Sequence, residues 1–263
     1  MLDTIVIGKQ NSFGLSRDRD LLVGALRAER LCGAIGEAHP RDRGLASRIL
    51  RRRRAATAAQ RGGAGRGGFA GARRHILIPN QERFPRRHLG RLKRIALVLC
   101  KSRCAAEIFR GLGCAAEYLG FLSEDRWLPS VEKDWNGIFH LAGGSTLKGT
   151  EDLVELWARH PGWPVLYLVQ KEALAPKRVP ANVHCITRYL EDGALRELQN
   201  RCGIHLCPSR SEGWGPHIVE GMSTGALLVP LDAPPMNEHL DAGSGILVPA
   251  ARTEPRPQGP CYF

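Results

Sequence analysis

The stretch Leu206–Asn237, LCPSRSEGWGPHIVEGMSTGALLVPLDAPPMN, restricts the fold more than any other part of the chain. Ahead of it, Ile204-His205-Leu206-Cys207 has the length and apolar character of a buried strand. Pro208 ends that strand because proline has no N–H to give to a sheet. The polar loop Ser209–Gly215 follows, with Gly213 and Gly215 permitting close approach of the backbone to a ligand. Pro216 suits a first helical turn, where its missing N–H is not required, so a helix is predicted from Pro216 through Met222, ending before Gly225. Leu227-Leu228-Val229 then reads as another buried strand. Further apolar runs at Ile138–Leu141, Val165–Leu168 and Val183–Ile186, with a helix predicted from Glu191 to Asn200, continue the alternation. Such alternation predicts an α/β protein with parallel sheets.

A helix N-terminus behind a glycine loop favours anions, because its free N–H groups and its dipole both attract negative charge. Two carboxylates frame this corner. Glu212 lies in the loop, and Glu220, four residues after Pro216, returns to the same side of the helix one turn on. Carboxylates repel phosphate but accept hydrogen bonds from hydroxyls. A ligand with hydroxyls at both ends and phosphate between them is a nucleotide sugar. Glu220 also fits the simpler description of an exposed helix carboxylate near the favourable end of the dipole. Upstream, Ala142–Thr150 forms a second glycine-rich loop, with Gly143, Gly144, Ser145 and Lys148, leading to a helix with Thr150 as its expected cap and with Leu153, Leu156 and Trp157. Small residues there let the backbone approach phosphates while Lys148 supplies charge. The alternative is a lone lysine before a helix.

Glu212-x7-Glu220, within PSRSEGWG and VEGMSTGALLVPLDAPPMNE, resembles the donor-site signature of the group 1 family of retaining glycosyltransferases with the GT-B fold. The resemblance covers Trp135–Val248 well, and the opening of the chain and His75–Arg126 loosely. It implies two Rossmann-like domains: an acceptor-side domain over 1–120, a linker over 121–135 and a nucleotide-sugar domain over 136–250. A disordered tail is expected over 251–263. By the same resemblance Glu212 contacts the transferred sugar, Glu220 holds the ribose, Lys148 meets the diphosphate and Arg188 lies by the base. Gly143, Gly144, Ser145, Ser211, Gly213, Trp214, Gly215 and His217 complete the donor site. Catalysis falls to Glu212 and Lys148, with no metal and no cofactor beyond the nucleotide sugar as co-substrate. Lys148-Gly149 matches the family loop, whereas the arginine of that loop is replaced by Gly143 or Gly144. Lysine does not reproduce the bidentate geometry of arginine on phosphate. The chain is shorter than usual for the family, and the further C-terminal helical region has no counterpart.

The first half reads less clearly. Thr4–Ile7 suits a strand, and Leu21, Leu22, Ala25 and Leu26 mark a helix. By resemblance Gly8, Asn11, Ser12 and Gly14, in the loop between them, belong to the acceptor side. Asn80, Gln81 and Glu82 follow the predicted strand Ile76–Ile78, and Lys101 follows the strand Ile95–Leu99, at the edge where open α/β sheets bind ligands, so all four are candidates for the acceptor side. Lys101 reads more simply as solvated. Ser102 is the expected N-cap of a helix ending near Gly111. Residues 37–74, rich in Arg, Gly and Ala, lack the large apolar residues of a core and are expected to be a linker or disordered, leaving the first domain incomplete.

Charge is concentrated in this half. Arg41–Arg110 carries 20 Lys and Arg against Asp42, Glu82 and Glu107, a net of +17 in a chain of net charge +12, so the remainder is −5. Such a block suits an acidic acceptor, the anionic surface of a membrane or RNA. The opening MLDTIVIGKQ has neither the basic nor the apolar segment of a signal peptide, and the 8 cysteines stand singly, so a cytoplasmic location with reduced thiols is expected. Two further classes remain open at this point: a degenerate GT-B protein that binds a nucleotide sugar without turnover, and an RNA- or membrane-surface-binding protein that uses the basic segment. The acceptor, whether glycan, lipid or small molecule, has no signature.

Overall fold

The computed structural model describes residues 4–7, 14–28, 35–38, 55–61, 72–241 and 243–250, which fall into two compact units divided between Leu122 and Ser123. The first unit contains β1 (Thr4–Ile7), α1 (Gly14–Ala28), β2 (Ile35–Ala38), β3 (Ala55–Arg61), β4 (Ala72–Ile78), β5 (Leu97–Cys100), α2 (Arg103–Gly111) and β6 (Ala116–Tyr118). All its strands pair in parallel, in the order β2-β1-β3-β4-β5-β6.

This corrects the expectation for 55–61 and 72–74; residues 39–54 and 62–71 lie outside the described residues. The segment holds β3 and the start of β4, and β3 pairs on both sides, Thr4 opposite Thr57 and Ala59 opposite Ile76. A strand hydrogen-bonded along both edges is held by the ladder and by its neighbours, so the poor strand propensity of AATAAQR does not exclude it. The acceptor-side candidates Gly8, Asn11 and Ser12 and the tail 251–263 lie outside the described residues; Gly14 is the first residue of α1.

The core of the first unit is Leu77, Phe84, Val98, Phe109 and the alanines of α2, with Phe84 and Phe109 edge to face at 5.3 Å. Ser102 caps α2 as expected, its Oγ accepting from the Ala105 N–H at 3.2 Å. Two 3-10 segments, Gln81–Arg83 and Arg86–Arg94, were not legible, because their sequences carry few apolar residues to set a period. Gln81 and Glu82 are buried in the first of them, and Asn80 is its half-buried cap. Lys101 is not solvated: it is buried, with Nζ 5.0 Å from the Phe121 ring centroid. A buried ammonium over a ring face is stabilised by the ring quadrupole.

The second unit contains β7 (Asp134–Gly143), α3 (Thr150–Arg159), β8 (Leu166–Gln170), β9 (Val183–Ile186), α4 (Asp192–Arg201), β10 (Cys202–Cys207), α5 (Pro216–Ser223), β11 (Leu227–Asp232) and β12 (Val248–Pro249). Its parallel sheet runs β12-β11-β10-β7-β8-β9, so the strand order reverses between β7 and β10. In open α/β sheets the crevice beyond the carboxyl ends of the strands at such a reversal is where ligands bind. Leu166 and Leu168 on β8 pack under Val154 and Trp157 of α3, while Ile218 and Leu228 form the core beneath α5.

Much of the expected linker, 121–135, belongs to this unit. Arg126 is buried, its Nε donating to Gln199 Oε1 at 2.5 Å and its Nη1 to Asp192 Oδ1 at 3.0 Å, while its N–H donates to Ser223 Oγ at 2.9 Å. The tertiary partners of one arginine convert a charge-rich run that reads as linker into a packed strap. Among the described residues no helix is long and apolar enough to cross a membrane.

Candidate functional site

The reversal between β7 and β10 places two loops side by side, Gly144–Gly149 after β7 and Pro208–Gly215 after β10. Their backbones are tied by the Arg210 N–H, which donates to the Leu147 carbonyl at 2.8 Å. They also touch at Gly149, which caps α3 with φ of 71°, a left-handed conformation; a Cβ there would lie 2.4 Å from the Pro208 carbonyl oxygen. Only glycine fits both conditions. The expected cap, Thr150, is instead the first helical residue, and its hydroxyl faces His140.

The contact between the loops brings the predicted catalytic pair together. Lys148 Nζ donates to Glu212 Oε1 at 2.5 Å and to His217 Nδ1 at 3.1 Å, with both partners of the ion pair largely buried. Because the ammonium only donates, Nδ1 of His217 accepts, and the ring proton sits on Nε2, facing Ser209 Oγ at 3.5 Å. Burial, and then the Lys148 charge, push the pKa of His217 down to about 3, so it is a neutral polar wall near pH 7. Burial alone would raise the pKa of Glu212; the Lys148 charge and hydrogen bond, with His217 and Ser209, outweigh it and hold the carboxyl below its usual range. Glu212 is thus an ionised acceptor already engaged by Lys148 and Ser209.

Beside this cluster α5 begins at Gly215, which has φ of 89° and is followed by Pro216. The first turn of a helix leaves N–H groups without intrahelical partners, and α5 begins directly after the Pro208–Gly215 loop. Glu220 lies one turn further in. It is buried rather than exposed, and its Oε1 accepts from Ser123 Oγ at 3.0 Å. Trp214 is also buried, its carbonyl accepting from His239 Nε2 and its ring edge to face with His239 at 5.0 Å.

Gly143 and Gly144 open the first loop, and Ser145 Oγ accepts from the Leu147 N–H at 3.1 Å. Arg188 lies exposed after β9, two strands from β7, and among the described residues no hydrogen bond joins it to the cluster. The structure therefore gathers Lys148, Glu212 and His217 in one cluster beside Glu220 and the α5 N-terminus, and leaves Arg188 apart. Three supporting residues escaped the sequence reading as members of the site: Ser123, whose only signal is a hydroxyl in a charged run; Ser209, in a loop already chosen; and Thr150, taken for a cap. Among the described residues no three His, Cys, Asp or Glu gather in a way that could hold a metal ion.

A cavity of about 870 Å³ opens between α3 and residues 173–182; Thr146, Gly149 and Arg210 of the two loops line it, whereas Lys148, Glu212 and Glu220 do not. Size alone does not make a cavity the candidate site; the convergent charged groups at the strand reversal are the stronger reason to choose it.

His140 and His205, expected to be core residues, are satisfied ones. His140 Nδ1 donates to the Leu206 carbonyl at 2.9 Å and Nε2 accepts from Thr150 Oγ1 at 3.0 Å, while His205 Nε2 donates to the Gln199 carbonyl at 2.9 Å. Burial depresses both to about 4. With His217 they make the fold acid-sensitive. Their pKa values in the fold lie below those of the unfolded chain, so stability is complete above about pH 6.5 and falls as the pH drops toward about 4, where the unfolded chain takes up protons that the folded one refuses. The unfolding free energy from urea denaturation should therefore fall steadily between pH 7 and pH 4.5, by roughly 2 kcal/mol per histidine. A flat profile over that range would contradict the assignment of these rings as neutral.

No family model and no curated relative matches this chain by sequence. Solved structures do match in fold. HepE from Anabaena, solved in complex with UDP and glucose, superposes with a TM-score of 0.66 at 15% identity over 94% of this chain and 86% of that one. Sucrose-phosphate synthase from Thermosynechococcus elongatus gives a TM-score of 0.71 at 13% identity over 95% and 86%. The pneumococcal O-GlcNAc transferase GtfA, in complex with UDP and GlcNAc, gives 0.61 at 12% identity over 80% of this chain and 49% of that one, so the chain spans about half its length. At these identities the likeness is one of fold, and the fold is GT-B.

Proposed function

We propose that this chain is a glycosyltransferase that moves a sugar from a nucleotide-sugar donor, held at the β7–β10 reversal, to an acceptor hydroxyl with retention of anomeric configuration. The observation that carries the proposal is the buried contact of Lys148 with Glu212 and His217 next to the α5 N-terminus, with Glu220 one turn beyond it. The GT-B fold of the neighbours, some of them solved with UDP and a sugar, supports the same reading.

In this arrangement the diphosphate lies between the Gly143–Ser145 loop and the first turn of α5, where N–H groups and the Lys148 charge receive it. Glu212, held ionised, accepts from hydroxyls of the transferred sugar, and Glu220 accepts from the ribose in place of, or together with, the Ser123 hydroxyl. The C1–O bond breaks with its electron pair leaving on the diphosphate, whose developing charge the lysine and the helix end stabilise. The acceptor oxygen forms the new bond to C1 on the same face, and its proton passes to the departing phosphate oxygen. On this reading the charge on the leaving group is met by protein groups rather than by a metal ion. Chelators leave turnover unchanged on this reading, and the product anomer, read by proton NMR, matches the donor.

The test is thermal stability of the wild type and of Glu220→Ala with UDP-, GDP- and ADP-glucose, since a ligand bound only by the folded state raises Tm by mass action. A rise with one nucleotide that vanishes in the variant supports the donor site and selects the nucleotide for a turnover assay. No rise with any of them overturns it. The closed Lys148–Glu212 pair also fits a protein that binds the donor without turnover; a Tm rise without donor hydrolysis or transfer would favour that second reading.

A further inference from the structure

Residues 171–182 join β8 to its parallel neighbour β9 with a single 3-10 turn, Glu172–Leu174, in place of a helix. Parallel neighbours are usually joined by a helix that covers the sheet. Here Pro176 and Pro180 each lack an N–H and fix φ, so ALAPKRVPA is poorly suited to form one. The face of the sheet beside α3 is left under a loop, and the cavity of about 870 Å³ lies between α3 and that loop. This volume is within the range of small-molecule sites.

Its wall is mainly apolar, with Val154, Trp157 and Ala158 from α3 and Leu174, Pro176 and Val179 from the loop. One buried residue breaks that pattern. β8 reads LYLVQ with Leu166, Leu168 and Gln170 buried in alternation, so the three share one face of the sheet. On that face Leu166 and Leu168 pack against Val154 and Trp157, and Gln170, one step further along the row, lines the cavity. Gln170 is 5% exposed, and among the described residues its Oε1 has no hydrogen-bond partner. A buried carbonyl left so is costly, whereas its neighbours in the wall are engaged. Trp157 Nε1 donates to the Pro164 carbonyl at 2.9 Å, and Asn182 Nδ2 to the His160 carbonyl at 3.0 Å. At the rim Arg210 is paired with Asp152, and Glu155 with Arg159. The charged lining residues outside those pairs are Lys177, Arg178 and Glu151, all exposed, and they sum to one net positive charge.

We propose that this cavity is a binding site for a small aromatic acid that carries a hydroxyl or N–H at the end away from its carboxylate. The donor meets Gln170 Oε1, the ring lies between α3 and the loop, and the carboxylate stays at the rim with Lys177 and Arg178. A flat apolar body suits these walls, and its one buried donor gives the glutamine the partner that packing withholds. The site is independent of the donor reading, since Lys148, Glu212 and Glu220 take no part in it.

The test uses three probes: 3-(4-hydroxyphenyl)propionate, 3-phenylpropionate, which lacks the hydroxyl, and the neutral 3-(4-hydroxyphenyl)propan-1-ol. Their binding is measured by ligand-observed NMR for the wild type, Gln170→Leu and the double variant Lys177→Ala/Arg178→Ala. The wild type should bind the hydroxylated acid roughly tenfold more tightly than 3-phenylpropionate, the contribution of one buried hydrogen bond. Gln170→Leu continues the Leu166–Leu168 row and removes the unpartnered oxygen, so its Tm should hold or rise while the two acids bind equally. The double variant changes only exposed side chains and keeps its Tm. It should bind both acids roughly threefold to tenfold more weakly and the alcohol as the wild type does. A wild type that binds none of the probes, or that shows no preference for the hydroxyl, overturns the proposal. So does a preference that persists in Gln170→Leu, and acids bound equally by the double variant and the wild type overturn the place given to the carboxylate.

Discussion

Lys148→Met is expected to abolish most transfer and to destabilise the fold at the same time, with opposite remedies for the two effects. Turnover should fall by roughly a hundredfold to a thousandfold, the scale seen when a group that stabilises developing charge is removed. Stability at pH 7 should fall by about 3 kcal/mol, because Glu212 is left buried and charged without its partner. In the wild type the carboxyl is held below its ordinary pKa, so the pair contributes stability above about pH 4.5 that is lost as the pH falls through the lowered value. Without the lysine, burial raises the carboxyl instead, and the variant is penalised most at neutral pH, where the charge must be kept in the fold. Adding Glu212→Gln should restore most of the stability, by removing the orphaned charge, and none of the turnover. Urea denaturation at pH 7 and pH 5 alongside a transfer assay separates these. A single variant as stable as the wild type, or a double variant that regains activity, would refute the roles given to the pair.

The second large effect is expected at a residue with no chemistry. Gly149→Ala must hold a non-glycine residue at φ of 71° and place a Cβ 2.4 Å from the Pro208 carbonyl oxygen. A left-handed conformation alone costs about 1 kcal/mol or more, and a contact that short forces the loops apart, so a loss of about 3 kcal/mol or more is expected. Separation of the loops also draws Glu212 from Lys148, so the protein that remains folded should bind the donor poorly. Gly193→Ala, inside α4 with nothing within 4 Å of the added Cβ, is the control: it should be neutral or slightly stabilising, since alanine favours a helix over glycine. Equal Tm values for the two variants would show that the loop contact carries no weight.

How much of this was readable in advance divides along physical lines. Local rules sufficed wherever a short segment carries its own signal. Pro216 at the start of α5, Gly225 beyond its end and the cap of α2 at Ser102 follow from backbone chemistry, and the strands Val183–Ile186 and Thr4–Ile7 follow from apolar runs. The spacing of Glu212 and Glu220 in a strand, glycine loop and helix likewise pointed to the corner where the structure gathers Lys148, Glu212 and His217. They failed where stability comes from distant partners. β3 is poor strand sequence held by neighbours on both edges. Arg126 turns an apparent linker into a packed strap through contacts more than sixty residues away. Lys101 is buried under an aromatic ring that sequence spacing does not reveal.

The amino-acid sequence by itself determined the alternation of strands and helices, the start of α5 behind its glycine loop and the identity of the residues available there. Tertiary structure alone decided which of them meet. Lys148 and Glu212 are 64 residues apart, and nothing local to either specifies the other. Their contact depends on the strand order that sets β10 beside β7, and on one glycine small enough, and free enough in φ, to let the two loops touch. Whether Glu220 was an exposed carboxylate or a buried acceptor was settled in the same way, by Ser123 arriving from the far end of the unit. A hydrogen-bonding group has its partners assigned by packing, and packing is a property of the whole sheet.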